Sequence, residues 1–179
     1  LWAIENEIRA HVPMVYYHVW DNYPYPKFNR KFYLSNDHIA CISKVTHDIV
    51  QTVAPEVDCT WVPHAVDGDI FKPHTADQIK AWRASKNIDD KFVCFWNSRN
   101  ARRKQSGTLI WWFKEFLDKV GHDKACLIMH TDVKDQHGQD LEAIIHELGL
   151  TNGEVLFSRD KVEAVDLAGM YNMADLTIC

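Results

Sequence analysis

Phe92-Val93-Cys94-Phe95-Trp96-Asn97-Ser98-Arg99-Asn100-Ala101-Arg102-Arg103-Lys104 is the stretch on which the fold turns. Phe92 to Trp96 is an unbroken apolar run of strand length. From Ser106 to Val120 the apolar residues Leu109, Trp112, Phe113, Phe116, Leu117 and Val120 recur at helical spacing. Between the two lie four cations, Arg99, Arg102, Arg103 and Lys104. A strand, a short basic loop and a helix N-terminus together make an anion site, because backbone N–H groups and the helix dipole aim where the cationic side chains aim. The ligand implied bears phosphate, with a diphosphate the first choice. Arg99 and Lys104 bracket the turn and are the candidates to hold it; Arg102 and Arg103 read as a solvated loop face.

Charge balance narrows the partner. The chain carries 20 Lys+Arg against 25 Asp+Glu, a net charge of −5, so a nucleic-acid-binding surface does not dominate it. A local basic cluster on an acidic background suits a small phosphorylated ligand. With 179 residues and 46% hydrophobic content there is material for one or two cores. No apolar run approaches the roughly 20 residues that span a bilayer. Leu1-Trp2-Ala3-Ile4-Glu5 reads as the inside of a helix rather than a leader, and with no initial Met the sequence is expected to be part of something longer.

Cysteine and histidine usage points away from metal. Cys41, Cys94, Cys126 and Cys179 sit in apolar strand-like runs and Cys59 just before another, with no C-x-x-C spacing. That pattern predicts a reduced, cytoplasmic protein using Cys as a small core residue. The 10 histidines form neither H-x-x-x-H nor H-E-x-x-H, so no metal site is expected. His18, His64 and His130 each end an apolar run, and in an α/β sheet such ends line the ligand crevice.

Strand and helix patterns alternate along nearly the whole chain. Strands are expected at Val12–Val19, His38–Ile42 and Thr60–Val62, with helices at Phe28–Leu34 and at Lys44–Val53, the latter capped by Ser43. A polar passage with prolines, His64–His74, reads as an interdomain connection. Beyond it come helix Ala76–Ser85, strand Lys91–Trp96, helix Ser106–Val120, strand Lys124–Met129, helix Gly138–Leu148 with Gly149 closing it, strand Val155–Phe157, helix Val162–Met173 and strand Asp175–Cys179. Such alternation predicts an α/β fold of parallel sheets flanked by helices, arranged as two incomplete Rossmann-like halves.

The motifs, in this order, resemble the central part of retaining glycosyltransferases of the GT-B fold, the family 4-like or "group 1" enzymes. Val62-Pro63-His64-Ala65-Val66-Asp67 with Phe71-Lys72-Pro73 resembles their interdomain signature. Arg99-Asn100 with Arg103-Lys104 resembles the "G-R-N…R-K-G" element, with Ser98 and Gln105 standing where Gly is usual. Leu167 to Leu176 resembles the helix and strand before their acidic motif, and Val15–Asp21 and Asp37–Ser43 resemble late strands of the N-terminal domain. Ala65 also replaces a usual Gly, which suggests a backbone without positive φ. The resemblance implies that residues 1–73 are the C-terminal part of the acceptor-side domain, 74–90 an interdomain linker and helix, and 91–179 the first part of the nucleotide-sugar domain. The family's Gly-rich loop would precede Leu1 and its E-x7-E element would follow Cys179, so only part of an active centre is expected here.

The implied reaction moves a hexose from a UDP-, GDP- or ADP-sugar to a glycan, lipid or other acceptor with retention. Arg99 and Lys104, rather than a metal or other cofactor, would stabilise the departing diphosphate. Asn100, His64, Thr131, Ser158, Arg159 and Lys161 are implied to contact the donor, the last three around the nucleotide base. His18 and Asp21 are implied catalytic positions that orient the acceptor hydroxyl or the donor sugar. Alternatives are another GT-B enzyme (a phosphorylase or a sugar-nucleotide epimerase), a non-catalytic remnant, or a sugar-binding module with aromatic platforms. Against the last, Trp96 and Trp112 read as core, and Trp2, Trp20, Trp61 and Trp82 are scattered. Peripheral membrane contact is allowed, and open sheet edges predict self-association.

Overall fold

The expected alternation of strand and helix runs throughout the computed structural model, which describes residues 2–179. The chain divides between Val66 and Asp67 into two units.

In the first unit, α1 (Glu5–Ile8) leads to β1 (Val15–His18), a 3-10 turn at Lys27–Asn29 runs into α2 (Arg30–Leu34), and β2 (His38–Cys41), α3 (Lys44–Val53) and β3 (Cys59–Trp61) follow. The three strands are parallel in the order β1-β2-β3. β1 begins three residues later than the apolar run from Val12. Pro13 has no N–H to give a ladder, and the N–H of Met14 donates at 2.7 Å to the Asp37 carboxylate, which Arg9 also grips. Ser43 caps α3 as expected, its hydroxyl accepting the Thr46 N–H at 3.1 Å. α3 buries Ile49, Val50 and Val53 against Ile39, Cys41 and Tyr33.

The second unit comprises α4 (Ala76–Ala84), β4 (Phe92–Asn97), α5 (Ser106–Val120), β5 (Ala125–His130), α6 (Leu141–Glu147), β6 (Val155–Ser158), α7 (Ala164–Met173) and β7 (Leu176–Ile178). Its four strands are all parallel, in the order β6-β5-β4-β7, so the winding direction reverses beside β4. β4 is apolar on both faces because both are covered. Cys94 and Trp96 join Leu127 and Met129 under α5 and α6, while Val93 and Phe95 join Cys126 and Ile128 under α7 and Trp82 of α4. α4 therefore packs within this unit, and it does so closely: Gly169 of α7 has no room for a Cβ against the Trp82 ring.

One core assignment fails. Trp112 is 60% exposed, whereas Trp96 is 3% exposed. The apolar arc of α5 is wider than the sheet beneath it, so Leu109, Trp112 and Phe116 overhang β7 and line an open apolar cavity of about 560 Å³. All five cysteines are free thiols; Cys41, Cys94 and Cys126 are buried and Cys179 is exposed. Among the described residues no helix is long and apolar enough to cross a membrane.

Candidate functional site

The carboxyl edge of the second sheet is a single register row, Asn97 on β4 beside His130 on β5 beside Ser158 on β6. In parallel α/β sheets ligands bind outside this edge, at the strand where the winding reverses, which here is β4. Asn97 Nδ2 donates to the Tyr171 hydroxyl at 3.1 Å, and His130 Nδ1 pairs with Ser158 Oγ at 2.9 Å. Next in line, Thr131 is 7% exposed; its N–H donates to the Ser158 carbonyl at 3.0 Å, while its buried hydroxyl has no partner among the described residues.

Two loops rise from this row, 98–105 after β4 and 131–140 after β5, and they are laced together. Asn100 is fully buried. Its Nδ2 donates to the Gln139 carbonyl at 2.7 Å, and its Oδ1 accepts from Ser106 Oγ at 2.7 Å and from the Gln139 N–H at 3.2 Å. Asn100, assigned to the donor from the sequence, is thus spent inside the protein: it staples the loops instead of facing a ligand. Gly138 completes the joint, since a Cβ there would collide with the Asn100 carbonyl oxygen. The Arg102 N–H adds a bond to the His137 carbonyl at 3.2 Å.

The leading end of α5 departs from expectation in the same way. Gln139 Oε1 accepts the Gly107 N–H at 2.8 Å, so a side chain already occupies one of the amides expected to face an anion. Gln105 enters the helix from the left-handed region at φ 54°, the conformation a glycine adopts without strain. The charge at this edge accordingly comes from side chains. Arg99 Nε donates to Asp135 Oδ2 at 2.6 Å and Nη2 to Oδ1 at 3.1 Å. That guanidinium, with the His137 N–H at 2.8 Å, holds the Asp135 carboxyl down at about 2. Arg159 lies 5.8 Å over the Phe157 ring and pairs with Glu142 at 2.6 Å, which also takes Lys134 at 2.9 Å. Lys104 and Lys161 are exposed and form no ion pair among the described residues. The sequence reading found the arginines and missed both carboxylates, because Asp135 lies 36 residues from Arg99 in a loop without periodicity.

The remaining candidates belong to the first unit. His18, at the carboxyl end of β1, is 3% exposed; its Nε2 pairs with the Tyr33 hydroxyl at 2.7 Å and its Nδ1 has no partner among the described residues. Burial pushes its pKa below the usual imidazole value, favouring the neutral ring. Asp21 is exposed on the loop after β1. His64 is exposed and stacks on Tyr17 with centroids 5.5 Å apart. Among the described residues no three His, Cys, Asp or Glu side chains group as a metal ligand set.

No protein-family model matches the sequence, and no curated protein matches it. Solved structures do match in fold. HepE of Anabaena in complex with UDP-glucose superposes with a TM-score of 0.70 at 17% identity, over 94% of this chain and 46% of its own. An alpha,alpha-trehalose 6-phosphate synthase from Burkholderia multivorans gives 0.70 at 13% identity, over 99% of this chain and 48% of its own. A glycosyltransferase from Rickettsia africae ESF-5 gives 0.61 at 17% identity, over 90% of this chain and 44% of its own. The chain spans about half the length of each of these three structures. It has the α/β fold of part of a GT-B glycosyltransferase, with parallel sheets flanked by helices.

Proposed function

We propose that the chain is the central part of a glycosyltransferase that moves a hexose from a nucleoside-diphosphate sugar to a glycan, lipid or other acceptor, with retention and without a metal. The observation that carries this reading is the loop after β4. It places Arg99 and Lys104 beyond the strand where the sheet reverses, in a fold shared with a HepE solved with UDP-glucose bound.

Cleavage of the bond from the anomeric carbon to the phosphate oxygen leaves the electron pair, and a growing negative charge, on that oxygen. Arg99 donates hydrogen bonds to the diphosphate and Lys104 adds a compact point charge. Each charge-assisted bond contributes about 1.5–3 kcal/mol, and losing one such donor in a dry site costs roughly 10²–10³ in rate. The nearby carboxylates Asp135 and Glu142 are engaged by Arg99 and by Arg159 and Lys134, which favours neutralisation by fixed cations over a bound metal. Thr131, Ser158, Arg159 and Lys161 form the donor side around the nucleotide; His64 approaches the donor, and His18 and Asp21 orient the acceptor hydroxyl or the sugar. The free thiols support a cytoplasmic setting, and the open edge strands β1 and β7 support self-association of this piece, readable by sedimentation.

A thermal-shift screen of UDP-, GDP- and ADP-sugars against the intact protein tests the donor: one class raises the unfolding temperature, and Arg99→Ala or Lys104→Ala reduces the rise. Turnover in excess EDTA tests the metal. Activity that disappears and returns with Mg²⁺ or Mn²⁺ overturns metal independence, and phosphorolysis or C2 epimerisation without sugar transfer moves the protein to another GT-B enzyme class.

A further inference from the structure

A guanidinium has two edges able to grip an oxyanion with parallel N–H bonds: the side edge, from Nε and Nη2, and the end edge, from Nη1 and Nη2. In Arg99 the side edge is taken by Asp135, at 2.6 and 3.1 Å. The end edge is free: no hydrogen bond from Nη1 is found among the described residues. The two partners differ in exposure, with 62% of the Arg99 side chain open to solvent against 11% for Asp135. The carboxylate is therefore the fixed member of the pair. It also accepts the His137 N–H at 2.8 Å, and the Gly138 N–H donates to the Asp135 carbonyl at 2.8 Å, so the turn 135–138 is closed on itself. Gly138 presses that turn against Asn100, on the loop that carries Arg99. Both ends of the ion pair thus stand on one interlocked pair of loops.

We infer that Asp135 is a positioning residue, holding the Arg99 guanidinium by its side edge so that its end edge is presented to the diphosphate. The inference rests on the donor reading proposed above. A loose arginine gives up rotamer freedom when it grips phosphate, whereas one already clasped has given it up beforehand. The clasp also divides the labour. The Arg99–Asp135 pair is neutral as a whole, so Lys104 carries the long-range attraction and Arg99 the geometry.

The sign of one substitution separates this role from simple electrostatics. Asp135→Asn keeps an oxygen for the His137 N–H but turns an amide NH₂ towards the Arg99 Nε–H, releasing the fork. Removing a negative charge beside an anion site would by itself tighten anion binding; loss of positioning weakens it. Binding of UDP, GDP, ADP and inorganic pyrophosphate is measured by calorimetry on the wild type, Asp135→Asn, Arg99→Ala and the double variant, with thermal unfolding as the check on folding. The expected result is a dissociation constant raised roughly fivefold to tenfold by Asp135→Asn in the wild type, and unchanged or lowered by it in the Arg99→Ala background. Asp135→Glu, which retains charge and fork, recovers part of the loss. Equal or tighter binding by Asp135→Asn overturns the inference while leaving the donor reading intact, as does the same weakening when Arg99 is already absent. A wild type that binds none of the four probes removes the donor reading itself.

Discussion

At the carboxyl edge of the first sheet stand His18, Cys41 and Trp61 in register; at that of the second stand Asn97, His130 and Ser158. Both sheets are parallel and both rows are set by the same βα alternation. The first edge carries a buried imidazole kept neutral by desolvation, with a phenol as its partner. The second is ringed by the ion pairs of Arg99 with Asp135 and of Glu142 with Arg159 and Lys134. The strands differ as well, β4 and β5 being almost wholly buried while β1 and β3 are partly exposed, but the charged groups lie beyond the strands, in the loops and the helix that follow them. After β4 and β5 two segments brace each other through Asn100 and Gly138, and bracing is what lets opposite charges be held in fixed geometry.

The largest effect should come from breaking that brace. Gly138→Ala forces a Cβ into the Asn100 carbonyl, and a cost of about 3 kcal/mol is expected by denaturant unfolding; a change below about 0.5 kcal/mol would mean the loops move apart easily. Next is Tyr33→Phe, which strips the buried His18 ring of the one partner seen among the described residues, at a cost of about 2 kcal/mol. Two imidazoles, one in each unit, should also answer pH with opposite signs. The His18 pKa is depressed, so the stability gained by keeping it neutral is complete above the unfolded value of about 6.5 and is lost as pH falls through the lowered one. The His122 pKa is raised, first by its bond to Asp118 and then by Glu154, so that contribution is complete below about 6.5 and fades as pH rises through the raised value. Imidazole NMR titration reads both; shifts in the same direction would erase the contrast. Ser43→Ala, which uncaps α3, should cost about 1 kcal/mol. Smallest of all, Gln105→Gly should stabilise by about 0.5 kcal/mol by relieving the left-handed backbone at the start of α5.

The fold was legible because its signals are local. Apolar runs of strand length, Ser43 before a helix and Gly149 after one each lie within a few residues of the structure they specify, and the structure has them. Boundaries slipped where a distant group intervened, as at β1, whose start depends on Asp37 taking the Met14 N–H. Trp112 misled because periodicity tells which face of a helix is apolar but not how far the sheet extends beneath it. The site was half legible. Positive charges clustered in one loop are visible in sequence, but the carboxylates that hold Arg99 and Arg159 come from other loops and helices, and nothing local marks them. Asn100 was misplaced for a related reason: its neighbours in sequence are exposed cations, while its own amide is consumed by Gln139 and Ser106.

The joint between Asn100 and Gly138 bears on how this protein can be altered. Because each segment is the mould in which the other sets, residues 97–106 and 131–140 form one cassette. Grafts, randomised libraries or insertions that treat either half alone should yield misfolded edges, whereas exchanging the two together should transplant the charged rim intact.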